Sequence, residues 1–259
     1  MSNENITVAD LKLVCKQLRL GAVYEELVHS LEDPKTLTMS HTEWLHDLLT
    51  AELVRREENR LNRRLREANI RHKEACMADI DFETPRGLNR AQIMSLGTCD
   101  WIRSHQNCII TGKTGCGKSW LAGAFANAAC RQGLTVRFVR VPLFLKEFSA
   151  QRKLGLEFNR QLRELRRIDL LVLDDWGMGA MDAENRSDLL EIIEDRCGVG
   201  STLITSVLPV KVWAKYINDA TYADSILDRL VRNSHRIKVE GESMRGLKCY
   251  GAVEEEKEE

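Results

Sequence analysis

The chain has 259 residues, 43% of them apolar and 30% charged, with a formal net charge of −1. That length and apolar content suffice for one large domain plus a smaller one, and a pI of about 6.6 excludes a protein coated in nucleic acid regardless of its state. No apolar run approaches membrane-spanning length, the start Met1-Ser2-Asn3-Glu4-Asn5 lacks the marks of a signal peptide, and eight cysteines form neither a CxxC pair nor a zinc-spaced cluster. The expectation is a reduced, cytoplasmic chain with no membrane partner.

From about residue 7, Leu11, Val14, Leu18, Val23, Leu27 and Leu31 recur at helical intervals until Pro34 interrupts. Ser40-His41-Thr42-Glu43 reads as a capping box that opens a long helix through Trp44, Leu48, Leu53, Leu61, Leu65 and Ile70. Residues 1–80 are therefore expected to form a small all-helical domain. Within it Arg55, Arg56, Arg60, Arg63, Arg64, Arg66, Arg71 and Lys73 face only Glu57, Glu58 and Glu67. Asp79 to Asn89, with Pro85 and Gly87, reads as a linker. Beyond it strands and helices alternate, with strands expected at 107–111, 135–141, 168–174, 201–206 and 235–240. That alternation predicts an α/β domain over 81–250, built on a doubly wound parallel sheet of about five strands. The acidic end, 251–259, is expected to be a disordered tail.

The first expected strand runs into Gly112-Lys113-Thr114-Gly115-Cys116-Gly117-Lys118-Ser119, and a helix-like segment begins at Trp120. This matches G-x-x-x-x-G-K-[ST] in the strand–loop–helix context the motif requires. Its glycines let backbone N–H groups turn inward around phosphate oxygens, and the helix start adds positive charge. Residues Gly112 to Trp120 are thus the expected ATP contacts. Lys118 should reach the β- and γ-phosphates, and the Ser119 hydroxyl should ligate Mg²⁺. A disulfide at Cys116 would be incompatible with that loop.

A second basic stretch follows, ten Lys and Arg between Arg131 and Arg167 against Glu147, Glu157 and Glu164. Either basic stretch alone could be a solvated helix face. Two of them in a nucleotide-binding chain point to a phosphate-backbone partner, nucleic acid. The apolar run Ile168–Leu173 then ends in Asp174-Asp175-Trp176-Gly177. Ligands of parallel sheets bind at the carboxyl ends of strands, so Asp174 is expected to hold Mg²⁺ and Asp175 to activate a water against the γ-phosphate. Ser201–Ser206 is a third apolar strand ending in hydroxyls. It lies near the γ-phosphate if it neighbours the 168–174 strand, or is simply a core strand with a hydroxyl-capped end.

The combination of GKTGCGKSWLAGAFANAA (112–129), DLLVLDDWG (169–177), ITSVLPVKVW (204–213), ADSILDRLVRNSHRI (223–237) and GESMR (241–245) resembles the IstB-like helper ATPases of insertion sequences, relatives of the helicase loader DnaC in the AAA+ superfamily. The resemblance spans nearly the whole chain. It implies a helical N-terminal domain before an AAA+ domain, with ATP-driven assembly into a ring, spiral or larger oligomer on double-stranded DNA. It also implies delivery of that target DNA to a cognate transposase. By the same resemblance Lys118, Ser119, Asp174 and Asp175 fall on the Walker residues, Arg229 on a catalytic arginine finger acting on a neighbouring subunit, and Arg245 on the second sensor. The first sensor falls in Thr205-Ser206-Val207, with Thr205 as the ATP contact because Val207 stands where relatives carry Asn or Gln. Asp175 replaces a more usual Glu, which implies slow hydrolysis. The DNA-contacting helices of the family map to the segment with Lys146, Arg152, Lys153 and Arg160. A helicase loader acting on single strands would share this ATP site. A small-molecule kinase is disfavoured by the paired Asp174 and Asp175 and by Arg229.

Overall fold

The computed structural model describes residues 7–152 and 156–244. Lys153, Arg245 and the 251–259 tail lie outside the described residues, so the expectations placed on them are not addressed. The chain divides into two compact units, Met1–Arg63 and Arg64–Glu259.

The first unit is helical, as its periodicity predicts. Helix α1 (Val8–Leu18) opens with a reciprocal capping box between Thr7 and Asp10, and Arg19 in the left-handed region closes it. Helix α2 (Gly21–Glu32) follows, then a 3₁₀ turn at Pro34–Thr38. Helix α3 (His41–Ala68) begins at the expected capping box, where Ser40 N–H donates to Glu43 Oε2 at 2.9 Å and Glu43 N–H donates back to Ser40 Oγ at 3.3 Å. Glu52 on α3 is only 7% exposed and accepts hydrogen bonds from Ala22 N–H (2.9 Å) and Arg56 Nε (2.8 Å).

The division between units falls inside α3, not at the expected boundary at 80. Residues beyond α3 belong with the second unit because their backbone is bound to its first long helix, as described below. In chain order that unit contains α4 (Arg90–Gly97), α5 (Asp100–Arg103), β1 (Asn107–Gly112), α6 (Lys118–Arg131), β2 (Val136–Arg140), α7 (Val141–Arg152), α8 (Leu156–Arg166), β3 (Leu170–Trp176), α9 (Ala183–Arg196), β4 (Ser201–Ser206), α10 (Trp213–Ile217), α11 (Ala220–Val231) and β5 (Ser234–Val239). Every expected strand is present within two residues of its expected ends.

The five strands pair in parallel in the order β2-β3-β4-β1-β5. Apolar side chains on both faces are what such a sheet requires, since helices cover it on both sides. Ile109, Leu171, Leu173 and Ile204 share a core with α7, α8, α9, α10 and α11, in which Trp176 and Trp213 pack with ring centroids 5.1 Å apart. The alternate positions Cys108, Ile110, Leu170 and Val172 are equally buried and, by the strand period of two, face the side covered by α6. Strand order fixes where chemistry falls. The loop after β1 and the carboxylates of β3 are separated only by β4, all at the carboxyl ends of their strands.

Candidate nucleotide-binding site

At the carboxyl ends of β1, β3 and β4 lies a cavity of about 650 Å³. Of the expected loop residues, Thr114, Gly115, Gly117, Lys118, Ser119 and Trp120 line it. Gly112, Lys113 and Cys116 do not. Gly112 is held in register with Val239 of β5, and the carbonyl of Lys113 accepts from Cys116 Sγ at 2.9 Å and from Lys118 Nζ at 2.7 Å. These three shape the loop from within. Gly115, at φ +87°, lies so close to Ser243 that a Cβ there would collide with it, and Met244 N–H donates to Gly115 O at 3.0 Å. The segment leading to Arg245 is thereby fastened to the phosphate loop, and Met244 lines the cavity.

The carboxylates converge through an irregularity in β3. Successive strand residues ordinarily point to opposite faces. Here the pairing with β4 shifts register between Leu173 and Trp176, and Asp175 adopts φ +61°. Asp is among the residues that tolerate this region, and a bulge of this kind re-aims a side chain beside a site. Asp174 and Asp175 can therefore meet the same guanidinium, with Arg71 Nη1 at 3.3 Å from Asp174 Oδ2 and 3.6 Å from Asp175 Oδ2.

Asp174 is fully buried, and its partners account for that. Ser119 Oγ donates to its Oδ1 at 2.7 Å, and Thr205 Oγ1 donates to the same oxygen. Thr205 also accepts from Asp175 N–H at 3.2 Å. Thr205 is thus not a wall of the cavity. It is 1% exposed, and its hydroxyl positions the two Asp residues instead of meeting a nucleotide. Ser206 is likewise engaged inward, donating to Trp176 O at 2.8 Å, while Val207 is the residue of this trio that lines the cavity. Ser119 and Asp174 together present a hydroxyl and a carboxylate oxygen side by side, a donor set suited to a hard cation such as Mg²⁺. No group of three or more His, Cys, Asp or Glu that could hold a metal ion occurs among the described residues.

Several basic and acidic walls of this cavity lie outside the motifs, Arg71, Arg140, Asp81 and Arg86 among them. Arg71 follows α3, and Arg140 ends β2, its Nε 3.0 Å from Asp175 Oδ2. Asp81 and Arg86 come from the stretch read as a linker, where Arg86 is 7% exposed and donates through Nη2 to Asp81 O. For Arg71 and Arg140 the sequence signal was membership of a basic stretch, which is silent about what each cation meets, and Asp81 and Arg86 lie outside both stretches.

Arg229 lies elsewhere. Its backbone carbonyl accepts from Asn107 Nδ2 at 3.0 Å, at the opposite end of β1 from the phosphate loop. The span of β1 is roughly 16 Å, beyond the reach of one arginine side chain. There Arg229 pairs with Glu194 at 2.8 Å and donates through Nη1 to Ser225 O at 2.8 Å. Among the expected DNA contacts, Lys146 and Arg160 are exposed, Arg160 pairing with Glu164 at 2.9 Å. Arg152 is used internally. It pairs with Asp188, whose side chain is fully buried, and lies over the Phe158 ring at 4.9 Å, so its charge balances a core carboxylate. In the first basic run Arg55 is paired with Glu25, Arg56 with Glu52, and Arg64 Nε donates to Cys130 O at 3.0 Å.

The model of the IstB-like ATP binding protein family matches residues 14–250. The insertion sequence ATP-binding protein y4pL of Sinorhizobium fredii (strain NBRC 101917 / NGR234) is 45% identical over 226 residues, covering 87% of this chain and 90% of that protein. Its namesake y4uH from the same strain is 43% identical over 233 residues, covering 90% and 93% respectively. Among solved structures, the crystal structure of DnaI superposes with a TM-score of 0.56 at 19% identity, over 69% of this chain and 93% of that one. At that identity the likeness to DnaI speaks to fold alone.

Proposed function

The chain belongs to the IstB-like ATP-binding family and is an ATPase of AAA+ fold, and from that premise we propose that it is a transposition helper that uses ATP to assemble on target duplex DNA, remodels that DNA and recruits or activates a partner transposase. The observation that supports this reading best is the separation of Arg229 from its own phosphate loop by the length of β1. An ATP site whose finger stands at the far end of the sheet is completed by a second copy, so nucleotide binding and self-association become one event.

In this reading the loop amides of Thr114 to Ser119 and the Lys118 ammonium hold the β- and γ-phosphates. Ser119 and Asp174 would hold Mg²⁺, which when bound would supply neutralisation of phosphate charge for transfer to water. Thr205 keeps Asp174 oriented for that contact. Asp175 accepts a proton from the attacking water, and Arg140 holds its carboxylate from the β2 side. Arg229 of a neighbouring copy stabilises the charge on the transferring phosphate. ATP is converted to ADP and phosphate, and loss of the γ-phosphate releases the assembly. DNA is held through its backbone by the exposed cations of α7 and α8, Lys146 and Arg160 among them, and by Lys153 of the same basic segment. The helical region 1–80 serves as the platform for the transposase and as a clasp on the duplex.

Target preference tests this directly. With ATP present, the protein should assemble on duplexes longer than a few helical turns with little preference for base sequence, and support strand transfer by its transposase into that duplex. A tenfold or greater preference for single strands would overturn the helper reading in favour of a helicase loader.

A further inference from the structure

We propose that Arg71 is a further nucleotide-binding residue, a ligand of the γ-phosphate supplied within the same chain, and that it sets the preference for ATP over ADP. The inference rests on this cavity being the ATP site and goes beyond it in adding a residue that the phosphate-loop and Walker motifs do not contain.

The strap that carries Arg71 is built into the nucleotide site. Asn69 takes φ +52° after the last turn of α3 and redirects the chain, and Ile70, at 2% exposure, anchors it. Next, Asn127 Nδ2 on α6 lies 3.5, 3.2 and 2.7 Å from the carbonyls of His72, Lys73 and Ala75. The strap lies close over Gly123 on the same helix, where a Cβ would sit 3.3 Å from both the Cβ and the carbonyl oxygen of His72, tight enough that the strap would have to shift slightly. Helix α6 is the helix whose N-terminus forms the phosphate loop. Arg71 is therefore delivered to the site by the element that binds phosphate, and it lines the cavity with Thr114, Lys118 and Ser119.

Its contacts place the guanidinium at the γ end of that cavity. Ser119 Oγ lies on Asp174 Oδ1 and Arg71 Nη1 on Asp174 Oδ2, so the expected metal-binding hydroxyl and the guanidinium flank one carboxylate. The closest approach to each carboxylate is through Nη1. A guanidinium is planar, carries five N–H donors and stays charged, which suits it to a carboxylate on one edge and a phosphate on another. Asp174 serves either a metal ion or Arg71 most strongly, since both compete for its negative charge. With Asp174 engaged by Mg²⁺, the Arg71 guanidinium, still beside Asp175, would have a donor edge for the terminal phosphate. ADP has no group at that position. Lys118 serves both nucleotides, and Arg71 only one of them.

The test is binding of ADP and of a non-hydrolysable ATP analogue, both with Mg²⁺, by titration calorimetry on the full chain. Arg71→Ala should weaken the analogue by roughly 10- to 100-fold, the range of one charge-assisted hydrogen bond, and change ADP by less than about twofold. Arg71→Lys keeps a point charge without the fork and should fall between. If Arg71→Ala unfolds, Arg71→Lys alone carries the test, with a loss of about threefold or more for the analogue only. An equal loss for both nucleotides, no loss, or tighter binding of the analogue would overturn the proposal, the last by making Arg71 a mere competitor of the metal. Lys118→Ala separates the two levels of the argument. Should it leave both nucleotides bound at the parent affinity, the ATP site itself is misplaced, whatever Arg71 does.

Discussion

The two ends of the same sheet solve opposite electrostatic problems. At the carboxyl ends of the strands, α6 begins, and its free N–H groups and positive dipole end favour anions. The buried charge there is the carboxylate of Asp174, satisfied by two hydroxyls and a guanidinium. At the amino ends the surrounding loops present carbonyls, and the buried charge is the cation Arg196. It is 2% exposed and donates to the carbonyls of Leu165, Ile168 and Ser201, and burial pushes its pKa down to about 10. Arg229 shares that end and faces a smaller cavity of about 310 Å³ with Arg196, His105 and Asn233. Arg71 and Arg140 stand at the end with the phosphate loop, and Arg229 stands at the other. In the proposed trans arrangement, a parallel sheet would give one chain both halves of a catalytic site and keep them apart.

Substitutions at each end sharpen this contrast. A large effect should come from Asp175→Asn, which removes the proton acceptor and spares Asp174. Hydrolysis should fall by about 10²–10⁴ with ATP affinity little changed, read by phosphate release and calorimetry. A parent-rate Asp175→Asn enzyme would show that the two acids do not divide the work this way. At the other end, Arg196→Met should leave nucleotide binding intact and destabilise the fold by about 3 kcal/mol, because three buried carbonyls lose their donor. Urea unfolding measures this, and an unchanged midpoint would mean water replaces the guanidinium without cost. A difference of the same kind separates two arginines of the basic segment. Arg152→Ala leaves the buried Asp188 with the Ser149 hydroxyl but without its cation, and should cost about 3 kcal/mol in stability with the DNA affinity unaltered. Smallest is the effect of Lys146→Glu with Arg160→Glu, which should weaken binding to all duplex sequences alike and flatten the salt dependence. The slope of log affinity against log salt should lose roughly 0.9 per phosphate contact removed. An unaltered slope would move the DNA site to other cations, those of 55–73 first.

What could be read from the residues alone was whatever is local. The five strands are legible because a doubly covered parallel strand is apolar on both faces, and the phosphate loop is legible because glycine spacing, Lys118 and Ser119 are contiguous. The capping box at Ser40 and Glu43 is legible for the same reason. What was hidden depends on partners distant in sequence. Arg71 meets Asp174 only because Asn127 ties the strap after α3 to α6. The stretch from Asp79 to Asn89 looks like a linker by its Pro and Gly, yet Glu240 N–H donates to Arg86 O at 2.8 Å and fixes it beside the phosphate loop. Thr205 sits where a sensor belongs, but its direction follows from the bulge at Asp175, which no periodicity announces. Arg152 and Arg160 are alike as residues in a basic helix-rich segment. Only the buried Asp188 on α9 makes one of them structural.

The central claim is that the two ends of the sheet form one catalytic site between copies, and subunit mixing tests it most directly. Arg229→Ala should bind ATP normally and hydrolyse it on the order of 10³-fold or more below the parent, the scale of a lost arginine finger. Lys118→Ala should bind no ATP and be inactive. Mixed together under conditions where co-assembly is verified, the two should recover hydrolysis, because an intact phosphate loop in one copy then meets an intact Arg229 in the next. No recovery at any mixing ratio, with co-assembly verified, would contradict the account and leave Arg229 as a surface arginine paired with Glu194.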